Sequence, residues 1–104
     1  MVTTVTSEEF KNIIGNSDSL IVADFSASWC IPCRSLKTTM EELSETYKEF
    51  KFINCDAEEC SDLTEEYFIM NVPTVILFKD GKIIDRFTGA MSKPKIIEKL
   101  ESLQ

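Results

Sequence analysis

The sequence predicts an α/β protein with one central mixed five-stranded sheet flanked by four helices, residues 1–104 forming a single domain. Three observations predict it. Apolar, β-prone runs alternate with stretches of helical period. Lys79-Asp80-Gly81-Lys82 is a two-residue hairpin signal, which makes the last two strands antiparallel. Cys30-Ile31-Pro32-Cys33 stands where an apolar strand gives way to a helix. A chain of 104 residues is large enough for one core and too small for two.

Taken in order, Val2 to Val5 is a short β-prone opening. Thr6-Ser7-Glu8-Glu9 matches a capping box, with Thr6 as N-cap and Glu9 reaching back. Phe10, Ile13 and Ile14 form the apolar side of the first helix, which Gly15-Asn16-Ser17-Asp18-Ser19 is expected to end. Leu20 to Ala27 is nearly continuous in apolar residues, the pattern of a central strand covered on both faces. The second helix is expected from about Cys33 to about Lys48, with Leu36, Met40, Leu43 and Tyr47 inward.

Phe50 to Ala57 is the third strand, and Asp56 to Asp62 an acidic turn before a short helix marked by Leu63 and Tyr67. Thr74 to Phe78 and Ile83 to Phe87 are the hairpin strands, and Gly89 breaks the second. Ser92 is expected to cap the last helix, with Pro94 in its first turn and Ile96, Ile97, Leu100 and Leu103 inward. The first three strands alternate with helices, which implies parallel pairing through crossovers.

The net charge of −7, with no histidine, argues against nucleic acid and anionic membranes as partners. It also excludes a histidine general base and any Cys/His metal site. No run approaches the roughly 18 apolar residues of a membrane span. Residues 1–6 lack the basic and apolar regions of a signal peptide, and Glu101-Ser102-Leu103-Gln104 is no retention or lipidation signal. The expected compartment is therefore cytoplasmic, where a close cysteine pair is catalytic or metal-binding more often than structural.

The chemistry centres on Ser28-Trp29-Cys30-Ile31-Pro32-Cys33-Arg34. The first turn of a helix has unpaired N–H groups and the positive end of the dipole, so a thiol placed there ionises more readily. Residues i and i+3 of a helical turn have Cα atoms about 5 Å apart, within the range a disulfide accepts. The pair is thus suited to a reversible dithiol/disulfide couple. Asp24 is the informative polar residue: a carboxyl inside an apolar strand is costly to ionise and should hold its proton well above the ordinary range.

These residues, in this order, resemble the thioredoxin family, and the resemblance runs from end to end. Trp29-Cys30-Ile31-Pro32-Cys33 resembles the family's Trp-Cys-Gly-Pro-Cys centre, and Asp24 falls where thioredoxins carry a buried aspartate. Val72-Pro73-Thr74 resembles their cis-proline loop, and Lys79-Asp80-Gly81 and Gly89 match their hairpin and groove glycines. A lowered pKa of the first cysteine is a known thioredoxin property. The resemblance implies a thioredoxin fold and a protein dithiol-disulfide oxidoreductase with no bound cofactor. Implied partners are a flavoprotein thioredoxin reductase, NADPH-linked, and disulfide-containing target proteins; a monomer is expected.

On this reading Cys30, preceding the helix with its sulfur facing solvent, is the attacking nucleophile. Cys33, buried in the first turn, resolves the mixed disulfide, and Asp24 is its acid/base, acting through a water. Trp29, Ile31, Pro32, Val72, Pro73 and Gly89 would form a shallow apolar groove for an extended target segment. Two departures from the family pattern stand out: Ile31 replaces glycine, and Asn54 falls where some members have a lysine near the aspartate.

Several alternatives stay open. Asp24 could face solvent at a strand end, and Trp29 could belong to the core. Cys30, Cys33, Cys55 and Cys60 could bind zinc, although Cys55 is expected as plain core in mid-strand and Cys60 as a spare surface thiol or a regulatory one. The chain could also be a specialised electron donor to one enzyme such as a peroxiredoxin, or a non-catalytic binding module.

Overall fold

Strand pairing follows the apolar runs. In a computed structural model, which describes residues 1–16 and 19–104, the chain runs β1 (Thr3–Thr4), α1 (Ser7–Asn16), β2 (Leu20–Ser26), α2 (Ile31–Thr46), β3 (Phe50–Asp56), α3 (Ser61–Glu66), β4 (Thr74–Lys79), β5 (Lys82–Thr88) and α4 (Lys93–Ser102). The sheet order is β1-β3-β2-β4-β5. β3 is parallel to β1 and β2, and β4 is antiparallel to β2 and β5. This is the expected mixed sheet with four helices.

Because side chains alternate across a strand, β2 divides its residues between two cores. Ile21, Ala23 and Phe25 join Phe10 and Ile14 of α1 and Leu63 of α3 on one face. Phe10 is the hub there, its ring within 5.8 Å of those of Phe25, Tyr67 and Phe78. Val22 joins Leu36, Met40 and Leu43 of α2 and Ile96 and Leu100 of α4 on the other. The same parity turns Asp24 toward the α2 side. A sheet so covered explains why β2 and β4 read as unbroken apolar runs.

Local signals were realised closely. Thr6 Oγ1 accepts the Glu9 N–H at 3.1 Å, and Glu9 Oε1 accepts the Thr6 N–H at 2.9 Å. Asp80 and Gly81 take φ of 52° and 79°, the left-handed pair that a two-residue hairpin needs.

α1 ends at Asn16, within the stretch expected to end it, and the Asn16 Nδ2 bonds the Asn12 carbonyl one turn back; Ser17 and Asp18 lie outside the described residues. Two expectations are corrected. α2 begins at Ile31 rather than near Cys33, because Pro32 fits the first turn, where no N–H is needed. Ser92 stands at the N-cap of α4 without a side-chain cap bond; its carbonyl accepts the Lys95 and Ile96 N–H groups instead.

Candidate active site

The site forms where β2 ends and α2 begins. The Cys30 N–H bonds the Ala27 carbonyl, turning the chain, and Arg34 Nη2 ties back to the Ser28 carbonyl at 3.2 Å. Cys30 becomes the N-cap of α2, in extended conformation, and its Sγ accepts the Cys33 N–H at 3.3 Å. Cys30 and Cys33 are joined as a disulfide with Cα atoms 5.3 Å apart. On reduction, that N–H and the dipole of a 16-residue helix would both favour negative charge on the Cys30 sulfur.

The expected contrast between an exposed Cys30 and a buried Cys33 is not found in this oxidised state. Their exposures are 5% and 3%. Cys30 curls over the first turn of α2, with its Sγ 3.8 Å from the Val72 carbonyl and Ala27 packed against it. What separates the two sulfurs is position: Cys30 receives the helix N–H and touches Val72, whereas Cys33 lines a cavity on the other side.

That cavity, of about 350 Å³, is bounded by Cys33, Lys37, Ser26 and Asn54, among others. A larger one of about 500 Å³ opens among Met1, Ser44, Glu45 and Phe50, and no cysteine lines it. Asp24 lies beside the smaller cavity's wall. It is buried, with Oδ1 unpartnered and Oδ2 receiving a weak hydrogen bond from Asn54 Nδ2 at 3.4 Å. Asn54 gives its better bond to Ser26 Oγ at 2.9 Å. Burial pushes the Asp24 pKa up to about 7, against small opposing pulls from Asn54 and from the charge of Lys37. The solvent-facing alternative for Asp24 is thereby removed.

Lys37 is the residue that sequence reasoning missed. Its position four residues after Cys33 on a helix was the available signal, since i and i+4 share a face. It supplies from α2 some of the positive charge that Asn54 does not supply from β3.

The expected groove residues are partly gathered. Trp29 is 67% exposed, so it is no core tryptophan; its Nε1 donates to Glu58 Oε1 at 3.0 Å. Trp29 and Val72 border one cavity of about 380 Å³. The Val72–Pro73 peptide is cis, and the Gly89 N–H bonds the Pro73 carbonyl at 2.8 Å, with Gly89 at φ 92°. Ile31, 75% exposed, and the exposed Pro32 sit on the rim between the cysteines.

The other cysteines fall elsewhere. Cys55 and Cys60 are both free, buried and part of the α1/α3-side core, so the four sulfurs do not converge as zinc ligands. Cys60 is therefore not a surface thiol: capping α3 turns its Sγ inward, toward the Val5 carbonyl. Burial, and then the neighbouring Cys60, push the Cys55 thiol far above its ordinary range. Cys55 is core, as expected.

The family model for thioredoxin matches residues 1–102. The chain belongs to the thioredoxin family. It is 39% identical over 98 residues to thioredoxin Y2, chloroplastic, of Arabidopsis thaliana, covering 93% of this chain and 59% of that protein. It is 41% identical over 91 residues to thioredoxin 1 of Plasmodium falciparum, covering 86% of each. A solved Plasmodium falciparum thioredoxin superposes with a TM-score of 0.90 at 34% identity, over 98% of this chain and 99% of that one. Against the Arabidopsis relative, the chain spans somewhat more than half of the full length. The thioredoxin fold is thus common to the solved relative and this chain, and Cys30–Cys33 stands where β2 gives way to α2 in it.

Proposed function

We propose that the chain is a protein dithiol-disulfide oxidoreductase that reduces disulfides in target proteins through Cys30 and Cys33. The observation that carries this is the Cys33 N–H pointing at Cys30 Sγ on the helix N-terminus, within a pair spaced for a disulfide. In the reduced protein, the Cys30 thiolate attacks one sulfur of the target. A Cys30–target bond forms, the target S–S bond breaks, and the departing sulfur takes a proton. Cys33 then loses its proton to the ionised Asp24, through solvent in the adjoining cavity, and attacks Cys30 Sγ. The Cys30–Cys33 bond forms, the mixed bond breaks, and the second target sulfur leaves and is protonated. Two electrons have passed to the target.

Trp29, Ile31, Pro32, Val72, Pro73 and Gly89 hold the target segment around the pair. By family, the oxidised protein is recycled by a flavoprotein thioredoxin reductase drawing on NADPH. We assign it to a reducing, cytoplasmic setting, in keeping with the free Cys55 and Cys60. The test is trapping. Cys33→Ser should hold targets as stable mixed disulfides through Cys30, and Cys30→Ser should hold none. Equal trapping would overturn the roles, and failure of the intact protein to reduce insulin with dithiothreitol would overturn the activity.

A further inference from the structure

The loop joining α3 to β4 carries an apolar surface that the groove residues do not account for. Phe68 is 78% exposed and Met70 84%, while Ile69 between them packs into the core. The loop is held from across the sheet: the Arg86 guanidinium of β5 donates to the Tyr67 carbonyl at 2.6 Å and to the Phe68 carbonyl at 3.3 Å. Phe68 sits at φ 53°, a conformation rare for a bulky side chain. Met70 borders the same 380 Å³ cavity as Trp29, Glu58, Asn71 and Val72. The surface is therefore continuous with the face of the Cys30–Cys33 disulfide, since the Val72 carbonyl lies 3.8 Å from Cys30 Sγ.

We infer that Met70, with Trp29 as the facing wall of their cavity and the exposed Phe68 two residues before it on the same loop, forms an anchor site for a large apolar side chain of the target, two residues from the cysteine that Cys30 attacks. The inference rests on the reductase reading and adds a substrate class to it. The spacing follows from chain geometry. Met70 is two residues before Val72, so their Cα atoms are at most about 7.6 Å apart, close to the reach of two extended residues of a target whose cysteine meets Cys30. The side-chain types fit. Methionine adapts to varied apolar shapes, and aromatic residues and methionine are enriched where interfaces are strongest. Glu58 lies on the same cavity with its carboxylate bound to Trp29, which fixes the wall instead of leaving it free to swing.

The test uses the pre-reduced protein, in one turnover by rapid quench, with two peptides containing the same internal disulfide. They differ only in having Phe or Ser two residues from the attacked cysteine. The intact protein should reduce the Phe peptide about tenfold faster. Met70→Ser should lose most of that preference and leave the rate with the Ser peptide unchanged, as should Phe68→Asn to a smaller degree. A preference that survives both substitutions together, or an equal loss on both peptides, overturns the anchor site. Equal rates for the two peptides in the intact protein defeat the anchor site alone, whereas reduction of neither defeats the reductase reading as well. A concentration-dependent dimer in sedimentation that Met70→Ser dissolves would give this face to a second copy of the chain and overturn the assignment to targets.

Discussion

At the residue scale, Asp24 sets activity against stability. Its folded-state pKa is raised by burial to about 7, above the unfolded value, so the folded protein binds this proton more tightly than the unfolded chain. The associated stability is fully present below about pH 4. It is lost as pH rises through about 7, after which the curve levels. A shift of that size corresponds to about 4 kcal/mol. Asp24→Asn should therefore be more stable than the parent at pH 8, by up to that amount, with little difference at pH 4, as denaturant melts of the oxidised protein would read. Resolution by Cys33 should slow in the same variant; equal stability at pH 8 would mean that the carboxylate is solvated. Lys37→Met offers a finer test. Removing the cation takes away one of the two pulls that favour the charged carboxylate, so the pH midpoint of the resolving step should move upward. An unmoved midpoint would show that solvent screens Lys37 completely. Asp24 was legible because a carboxyl in an apolar run is conspicuous. Lys37 was not singled out because exposed lysines are ordinary, and its partner lies 13 residues away, on β2.

At the element scale, legibility followed the range of the interactions. The capping box of Thr6 and Glu9 and the Asp80-Gly81 turn are decided within four residues, and both formed as read. Cys60 looked like a surface thiol because its neighbours in sequence are acidic; its burial is decided by packing with Val5, just after β1 and some 55 residues away. The α3–β4 loop was missed for the same reason. Nothing in Tyr67-Phe68-Ile69-Met70 marks a left-handed residue, and the conformation is held by Arg86, 18 and 19 residues away from the carbonyls it binds. A non-glycine residue in this region carries a cost of about 1–2 kcal/mol. Asparagine tolerates it better, and an exposed phenylalanine loses little packing when replaced. Phe68→Asn should thus raise stability by about 0.5–1 kcal/mol, visible in thermal melts. A loss instead would mean that the ring is buried against the loop. A strained residue that could be relieved by one substitution, on the loop that leads to Val72 and the redox pair, fits a position kept for contact with targets.

At the scale of the whole molecule, charge governs encounter before any groove is filled. The chain carries −7, and the approach to the disulfide is uneven. Glu58, which borders the Trp29 cavity, and Glu59 precede α3, and Glu65 and Glu66 close it, all four exposed; Arg34 and Lys37 lie on α2 beyond Cys33. A target reaching the Trp29 and Met70 side therefore crosses a negative field, which draws basic segments and repels acidic ones. The field extends about 30 Å at 10 mM salt and about 8 Å at 150 mM. For two peptides with the same internal disulfide, flanked by Lys or by Glu, the second-order rate of reduction should respond oppositely to salt. The Lys-flanked peptide should slow by about five- to tenfold between 10 and 150 mM, and the Glu-flanked one should quicken. Glu59→Gln combined with Glu65→Gln should flatten both responses while leaving the rates at 150 mM nearly unchanged, because at that ionic strength these exposed carboxylates are screened from an approaching chain. Parallel salt responses for the two peptides would mean that recognition begins only at contact, with the apolar groove selecting targets without help from charge.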